Sequence, residues 1–551
     1  MKKYSFFVKS IVCFLFFYVL QGCAVNPVTG KKELSLMSEE KEIAMGKQYD
    51  PTIVASFGLY DDPKLQAFIN EKGKEMAKIS HRPHLPYEFK ILDSPVINAF
   101  AVPGGYVYFT RGILAHFSNE AEFAGVLGHE IGHITAKHGV RQQTTQLLSQ
   151  IGLIGGVILT KGQGAQELSQ AIGLLSLKYS RDHESESDKL GVEYSTEIGY
   201  DARKMANFFF TLNRMREQSG GASIPTFQST HPDPLNRYEN VNQMATAKQA
   251  QRSGQQFAVN RDSYLRMIDG LTYGEDPKQG YVEDDYFYHP DLKFKFPVPR
   301  QWRTANSPQQ FQMADPDGKA MMVLMAGQGT PQEALTAFNE QQKLQVVSSE
   351  NVRVNGYPAV RQIGDQQNQQ SGATIRILTY IIQYGNLSYA IHGLSSSQDF
   401  ATYQRTFEYT MTNFNELRDP SKINRVADQI KIEKVQRAGT LADVLRYYNM
   451  PNNRMEEIAL LNSMKLTDQL STGMLIKTVV NNGAYQPSRS STDRSTDTTP
   501  TNTSPSSGNT NRTPSTTTNT NRTNQLPDAK TNNKPSTTSG KKKIGKIKKK
   551  N

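Results

Sequence analysis

Cysteine is almost absent from this chain, since Cys13 and Cys23 are the only two among 551 residues. Cys13 lies within an apolar N-terminal stretch that is typical of a signal peptide, so the mature protein is expected to keep Cys23 alone. A single cysteine excludes an intramolecular disulfide framework and a metal site with several cysteine ligands. Any metal site in the mature chain is therefore expected to use other side chains.

Hydrophobic runs long enough to cross a bilayer are also missing, because a spanning helix needs about 20 apolar residues. The run from Ile11 to Leu20 is shorter, and it follows the positive start Met1-Lys2-Lys3, as in a signal peptide. The next residues, Leu20-Gln21-Gly22-Cys23, form a lipobox. We predict a lipoprotein signal peptide over residues 1–22 and lipidation of Cys23, with an uncleaved signal anchor as the alternative.

A second apolar stretch covers residues 147–160 and includes Ser149 and Gln150. It is shorter than the roughly 20 residues that a spanning helix needs. We predict a buried helix or a helix that covers a cleft. The alternative is a segment that dips into a membrane.

Acidic and basic residues are nearly balanced in the part of the chain that can fold, although the whole chain has a net charge of +11. The tail from Ala484 onward contains thirteen Lys or Arg and three Asp, which gives it a charge of +10. Without this tail and the three lysines of the signal peptide, the remainder has a charge of −2. A basic nucleic-acid-binding surface is not indicated, and no nucleic-acid partner is predicted.

The most informative motif is His-Glu-x-x-His at His129, Glu130 and His133. Residues four apart lie on one face of a helix, so the two imidazoles could bind one zinc ion with Glu130 beside an open coordination position. Asn119 is a suitable N-cap for this helix, and Gly139 could supply its left-handed C-cap. The alternative is a helix that carries two histidines by chance, so a third ligand is needed.

Acidic residues in the next predicted helix, roughly residues 167–198, can supply that ligand. Glu184 and Asp188 share one face of this helix, whereas Glu186 is expected on another face. In a site of two His and one Glu, Glu184 would be the third protein ligand. Asp188 would accept the free N–H of a ligand histidine and so fix its tautomer. A solvated acidic face is the alternative.

A loop farther along the chain, Ser229-Thr230-His231-Pro232, precedes Arg237. His231 could reach the open metal position or donate a hydrogen bond to the carbonyl oxygen under attack, so we predict a catalytic role for it. Arg237 could hold this loop or neutralise a carboxylate. If His231 binds the metal at rest, the enzyme would be latent until the loop moves. A helix-entry cap with a surface histidine is the alternative.

These motifs together resemble the zinc metallopeptidase family of HtpX, BepA and the CAAX prenyl proteases. Within the similar region, about residues 26–285, Asn26-Pro27-Val28-Thr29-Gly30 and residues 269–274 are similar to the soluble, lipoprotein-type bacterial members. The resemblance implies Glu130 as general base and Glu184 as third ligand of one Zn²⁺ per chain. It also implies a mainly helical, gluzincin-type metallopeptidase domain with a small sheet, which we place at residues 23–285.

Two strands are predicted ahead of the zinc motif, at residues 87–92 and 101–110. By the resemblance, the edge of their sheet borders the active-site cleft, where an extended substrate could pair with it. Asn98 is placed where it could bond the substrate backbone. A turn-forming asparagine is the alternative.

Beyond residue 285 we find no catalytic constellation. Predicted strands at residues 320–324, 374–384 and 387–394 surround a helix near 331–345, which favours an α/β sandwich-like accessory domain over residues 286–415. Its opening weakly resembles the Mog-one or PsbP type of domain. His289 and His392 are predicted to be structural or exposed.

The C-terminal part divides in two. Residues 430–480 resemble a LysM module, a small βααβ unit that binds N-acetylglucosamine polymers such as peptidoglycan; a generic interaction role is the alternative. Residues 484–551 form a Ser/Thr/Asn-rich tail that cannot bury a core and is predicted to be disordered. Its basic end, from Lys541, could attract anionic lipid or cell-wall polymer, or only aid solubility.

The sequence thus predicts an α+β protein that acts as a zinc-dependent endopeptidase of the bacterial cell envelope. Its expected substrates are misfolded or misassembled envelope proteins. The expected location is the periplasm, with a lipid anchor in the outer membrane rather than the inner one, because Ala24 and not an aspartate follows Cys23. The alternative function is a non-catalytic envelope chaperone or a peptidoglycan-associated scaffold.

Overall fold

A computed structural model describes residues 23–481 except 36, 145–178, 219–226, 228–230, 232–233, 253 and 368–372. The predicted signal peptide, the apolar stretch 147–160 and the predicted disordered tail lie outside the described residues. The chain divides into two compact units, Met1–Gln486 and Pro487–Asn551, and every described residue belongs to the first. Within the described ranges, no helix is both long enough and apolar enough to cross a membrane.

The N-terminal half is mainly helical. A short antiparallel pair of strands, β1 (Cys23–Val25) and β2 (Lys32–Leu34), precedes the helices. The helices are α1 (Glu39–Phe57), α2 (Pro63–Ile79), α3 (Arg111–His116), α4 (Glu120–Thr135), α5 (Arg181–Glu197), α6 (Arg203–Gln218), α7 (Pro234–Ala250) and α8 (Arg261–Met267). Asp62 caps α2 by accepting a hydrogen bond from Leu65 N, and Pro63 is the first residue of the helix.

A small sheet lies among these helices. It consists of β3 (Glu88–Leu92), β4 (Ala99–Val102) and β5 (Tyr106–Thr110), in the order β3-β5-β4. The predicted strand 101–110 is therefore a hairpin, which turns at Pro103-Gly104-Gly105. Gly104 has φ +93°, and a Cβ there would lie 2.8 Å from the Glu42 carbonyl oxygen, so this tight turn requires glycine.

Helix α4 carries the His-Glu-x-x-His motif and is buried along its whole length. Its predicted N-cap is confirmed, because the Asn119 side chain accepts a hydrogen bond from Glu122 N. Its predicted C-cap is wrong. The left-handed residue is Lys137, with φ 57°, and Gly139 lies in the helical residues 138–144 that follow.

Helix α5 follows residues 145–178, which lie outside the described part of the chain. We predicted a helix over residues 167–198, but Tyr179 is not helical and Ser180 is the N-cap, accepting a hydrogen bond from His183 N. The predicted start is therefore wrong, because the Ser180 hydroxyl caps a helix whose first residue is Arg181. Gly199, with φ +89°, follows its C-terminus.

The region after α8 is rich in strands. A four-stranded sheet has the order β17 (Asn415–Glu416), β9 (Phe294–Pro297), β8 (Tyr286–His289) and β7 (Tyr281–Glu283). A seven-stranded antiparallel sheet contains β10 (Arg303–Asn306), β11 (Gln310–Ala314), β12 (Ala320–Gly327), β16 (Leu387–Ser396), β15 (Thr374–Tyr384), β14 (Tyr357–Gln367) and β13 (Gln345–Val354), in that order. Helices α9 (Pro331–Gln342) and α10 (Phe400–Thr412) pack on this sheet, and the short helix α11 (Pro420–Ile423) follows. His392 is buried beneath α9, where it stacks on Phe338.

The last described segment has a β-α-α-β order, as predicted for residues 430–480. Its main elements are β18 (Asp428–Lys434), α12 (Leu441–Tyr447), α13 (Met455–Leu461) and β21 (Leu475–Val480), and a small pair, β19 (Gly439–Thr440) and β20 (Gln469–Leu470), lies between them. Strand β18 pairs with both β21 and β6 (Thr272–Tyr273). One apolar core includes residues of this segment and of the N-terminal half. The segment therefore shares its core with the helical part and is not a separate domain joined only by a linker.

The described chain is thus a mixed helix-and-sheet structure, consistent with the α+β class that we predicted. The likeness of residues 430–480 to a LysM module, and the domain arrangement, stay predictions.

Candidate metal centre

Four side chains converge beside the centre of α4. They are His129, His133, Glu184 and His231, and one ligand atom from each lies within 4.8 Å of all the others. All four are buried. His129 Nε2 and His133 Nε2 are 2.9 Å apart, and the Glu184 carboxylate lies 3.5 to 3.6 Å from these two nitrogens. The structure therefore brings together the three predicted ligands and the predicted loop histidine.

Close packing of α4 on α5 places these ligands. Gly128 and Gly191 face each other where the helices cross, and a Cβ on Gly128 would lie 3.0 Å from the Gly191 Cα. Any larger side chain at Gly128 would push the helices apart and carry Glu184 away from the two histidines. Gly128 thus serves helix-on-helix packing.

Asp188 and Arg237 surround His129 on the side away from His133. Asp188 Oδ1 lies 3.0 Å from His129 Nδ1, as predicted for an acceptor of the free N–H. Arg237 donates to both carboxylate oxygens of Asp188 and lies 3.0 Å from Glu184 Oε2. Burial opposes ionisation of Asp188, but Arg237 and His129 outweigh it and lower its pKa to about 2. Asp188 is thus a carboxylate at every physiological pH and keeps the His129 proton on Nδ1.

Glu130 stands apart from this network. It is completely buried, yet neither carboxylate oxygen has a hydrogen-bond partner within the described part of the chain. Burial is the main cause that raises the pKa of Glu130 to about 7. Glu130 is thus a buried carboxyl group that no hydrogen bond from the described residues ties down, beside the proposed ligands, where a general base is needed.

His231 occupies the remaining side of the centre. Its Nδ1 lies 3.0 Å from Glu184 Oε1 and 3.2 Å from His129 Nε2, and its Nε2 lies 3.7 Å from Glu130 Oε1. Burial opposes protonation of His231, but the carboxylates of Glu184 and Glu130 outweigh it and raise its pKa. His231 therefore lies between the predicted ligands and the predicted general base.

The donor set fits a zinc ion. With its proton held on Nδ1, His129 presents a lone pair on Nε2 toward His133 Nε2, and the Glu184 carboxylate adds negative charge to the same buried space. Lone pairs that converge in this way repel one another unless a cation lies between them. Two imidazole nitrogens and one carboxylate are the ligands of catalytic zinc, whereas calcium and magnesium prefer oxygen.

Asn98 lies just ahead of β4, the edge strand of the small sheet. Its backbone pairs with Thr110, but its side-chain Oδ1 is buried and has no hydrogen-bond partner within the described residues. This unpaired oxygen favours the substrate-binding role over the turn-forming one, and both stay predictions.

Sequence reasoning gave no role to three residues that border the centre. Tyr179 stacks on the His133 ring with centroids 4.0 Å apart. His138 lies 3.0 Å from His133 Nδ1, and Glu186 lies 3.0 Å from His138 Nε2. His138 was within reach of the motif, five residues after His133, but the left-handed turn at Lys137 that points it back was not predicted.

Comparison with known proteins gives a consistent result. Residues 63–245 match Peptidase family M48. A beta-barrel assembly-enhancing protease of Yersinia pestis is 30% identical over 230 residues, which cover 40% of this chain and 47% of that protein. The mitochondrial metalloendopeptidase OMA1 of Arabidopsis thaliana is 30% identical over 180 residues, which cover 32% of this chain and 35% of that protein.

The chain thus spans about half the length, or less, of these curated relatives. Among solved structures, cyanobacterial PsbP from Synechocystis matches with a TM-score of 0.20 at 10% identity, covering 24% of this chain and 91% of that one. A score this low does not establish a common fold.

Proposed function

Because residues 63–245 are a domain of Peptidase family M48, a family of zinc-dependent peptidases, we propose that the chain is a zinc endopeptidase of the bacterial cell envelope. The observation that carries this proposal is the buried group of His129, His133 and Glu184 with the Glu130 carboxyl beside it, whose oxygens have no hydrogen-bond partner within the described residues. A structural metal site would need no such carboxyl group, because its ligands close the coordination sphere.

The roles of the side chains follow from their positions. His129, His133 and Glu184 would hold the zinc ion, which when bound lowers the pKa of water and polarises a carbonyl group. Glu130 takes a proton from the attacking water and returns it to the leaving amine, and its buried position beside the proposed ligands suits both steps. His231, whose pKa is raised, can donate a hydrogen bond to the carbonyl oxygen.

The substrate would bind as an extended strand. Strand β4 is at the edge of its sheet and contacts α4, so its free side lies near the proposed ligands. Pairing with a backbone edge tolerates many side chains, which suits substrates that are recognised because they are unfolded. The unpaired Asn98 Oδ1 could accept a hydrogen bond from the substrate backbone.

The position of His231 supports a latent resting state. A histidine nitrogen within 4.8 Å of the ligand atoms of His129, His133 and Glu184 could serve as a fourth ligand. A closed set of four protein ligands leaves no position for substrate. Activity would then require the His231 side chain to leave the centre.

The envelope location and the substrates are inferred from the N-terminal sequence and from the bacterial relative. The lipobox at Cys23 favours a periplasmic enzyme anchored to a membrane, with the outer membrane favoured by Ala24. The bacterial relative is named for enhancing β-barrel assembly, so misfolded or misassembled envelope proteins are the proposed substrates. Binding of peptidoglycan by residues 430–480 would place the enzyme at the cell wall.

The test is zinc content and cleavage of unfolded casein by the purified mature chain, its Glu130→Gln variant and its His231→Ala variant. We expect about one zinc per chain. Cleavage should be lost in Glu130→Gln with zinc retained, and it should rise in His231→Ala if the resting enzyme is latent. Unchanged activity in His231→Ala would count against latency, and no cleavage by any form would favour the chaperone or scaffold function.

A further inference from the structure

His133 has a second imidazole behind it. The Nε2 of His133 faces His129 and Glu184, whereas its Nδ1 points the other way and lies 3.0 Å from Nδ1 of His138. His138 is completely buried, and neither ring is exposed enough to exchange this contact for water. The partner of this proposed ligand is thus a histidine, where ligand histidines usually have a carboxylate, a backbone carbonyl or a water.

The proton positions in this pair follow from the proposed metal site. If His133 binds the metal through Nε2, its one ring proton is on Nδ1, and that N–H must donate to His138. His138 Nδ1 must then carry a lone pair, so the proton of the neutral His138 ring is on Nε2. That nitrogen lies 3.0 Å from Glu186 Oε2, which accepts the bond. Only one tautomer of each ring satisfies both contacts.

Glu186, the last residue in this series of contacts from His133 through His138, is also held in place. Arg141 lies 3.1 Å from the same Glu186 oxygen and 3.3 Å from Glu33 Oε2 in strand β2. The His183 ring stacks on His138 with centroids 4.3 Å apart and holds its plane. Glu186 therefore lies between the neutral His138 ring and the charged Arg141, and it cannot swing away from His138 without breaking the ion pair with Arg141.

We propose that His138 and Glu186 are positioning residues for the metal ligand His133. Glu186 holds the His138 ring so that His138 Nδ1 accepts a hydrogen bond from the Nδ1–H of His133. This bond directs His133 Nε2 toward the metal. The proposal rests on the proposed zinc site but not on proteolysis. It gives His133 an orienting partner that corresponds to Asp188 for His129. The two ligands of α4 would thus be fixed by different chemistry, one by a carboxylate directly and the other through an intervening imidazole.

The test measures the zinc dissociation constant of the full mature chain by competition with a chelator. His138→Phe keeps the ring volume but removes the acceptor, and we expect zinc binding to weaken about 10- to 100-fold. His138→Gln offers a carbonyl oxygen to His133 and an amide N–H to Glu186, so it should restore most of the affinity. Glu186→Gln keeps an acceptor but loses the charge, and a smaller loss is expected.

Two matched controls separate positioning from general damage. His392→Phe removes a buried histidine that stacks on a phenylalanine in the accessory region, and Asp182→Asn removes an exposed carboxylate from the same helix as Glu186. Both should bind zinc like wild type. The absorption spectrum of the Co²⁺-substituted protein should change in His138→Phe and not in the controls, because it reports ligand geometry.

Zinc affinity in His138→Phe equal to that of wild type, or affinity in His138→Gln as low as in His138→Phe, would overturn the proposal. If both His138 variants fail to fold, unchanged zinc affinity in Glu186→Gln would overturn it. Zinc affinity and casein cleavage are measured separately. A chain that binds zinc but cleaves nothing, both as wild type and as His231→Ala, would therefore refute the proposed function and leave this inference standing.

Discussion

Arg237 holds Asp188 with two hydrogen bonds, from Nε to Oδ2 at 2.8 Å and from Nη2 to Oδ1 at 2.5 Å. Asp188 in turn lies 3.0 Å from His129 Nδ1. Arg237 belongs to α7 and Asp188 to α5, so the pair joins these two helices. Asp188 also orients His129, a proposed ligand on α4. The Phe209 ring lies 4.1 Å from the guanidinium group and covers it.

The first prediction concerns Arg237→Lys. Lysine keeps the charge but cannot make both hydrogen bonds, so Asp188 gains freedom to turn away from His129. We expect zinc affinity to fall by about 10-fold, as measured by competition with a chelator. The control is Arg203→Lys, since Arg203 also bonds both oxygens of an aspartate, Asp201, but lies at the surface. Equal zinc affinity in Arg237→Lys and wild type would contradict the role given to Arg237.

The second prediction concerns Arg82, whose guanidinium group is fully buried at the end of α4. It donates to Glu42, to Glu39 and to the carbonyl oxygen of Ile134. Arg82→Met would leave the buried Glu42 carboxylate without its partner. We expect the free energy of unfolding to fall by about 3–5 kcal/mol in urea denaturation followed by circular dichroism.

A second substitution tests the cause of that loss. Adding Glu42→Gln to Arg82→Met removes the unpaired charge and should recover part of the stability. Arg418→Met is the control, because Arg418 and its partner Glu416 form a surface ion pair, and little change is expected. A loss in Arg82→Met no larger than in Arg418→Met would show that the buried network does not stabilise the fold.

The residues of the centre could be predicted where a regular helix connects them. His129 and His133 share a face of α4 because four residues make about one turn, and Glu184 and Asp188 share a face of α5 for the same reason. The N-cap of α4 at Asn119 was predictable because its side chain acts on a neighbouring backbone group. The match of residues 63–245 to Peptidase family M48 agrees with the resemblance seen in these motifs.

Residues outside a regular period could not be predicted in this way. His138 lies beyond Lys137, which has a positive φ, and a lysine does not signal such a conformation. Glycine does signal it, so the C-cap was wrongly placed at Gly139. Lys477 was also missed, since a lysine in a short strand normally faces water and only the packing of two distant segments buries it. Local patterns predict local geometry, and both failures depend on contacts made elsewhere in the fold.

The third prediction concerns Lys477, which ties the C-terminal segment to the helical part. Its Nζ donates to the carbonyl oxygens of Ala115 and Phe117, both at 2.9 Å, just ahead of α4. Lys477→Met fills the space but leaves two buried carbonyl groups unpaired. We expect a loss of about 1–3 kcal/mol in thermal denaturation of the mature chain.

Lys431→Met is the control for this loss. Lys431 lies on β18 of the same segment, but it is partly exposed and pairs with Asp269 at the surface. The Lys431→Met protein should therefore unfold like wild type. A Lys477→Met protein as stable as the Lys431→Met protein would mean that apolar packing alone, and not this lysine, attaches the segment.

The last prediction concerns the pH dependence of Glu122, which lies in the first turn of α4. Burial is the main cause that raises its pKa from an ordinary 4.5 to about 7. The folded state therefore binds the proton more tightly than the unfolded state. The stability that this adds is complete below pH 4.5 and is lost as the pH rises through about 7. Glu122→Gln cannot titrate, so wild type should lose stability relative to it as the pH rises over this range. Urea denaturation of both proteins at several pH values measures the difference, and parallel stability curves would show that Glu122 keeps its ordinary pKa in the folded chain.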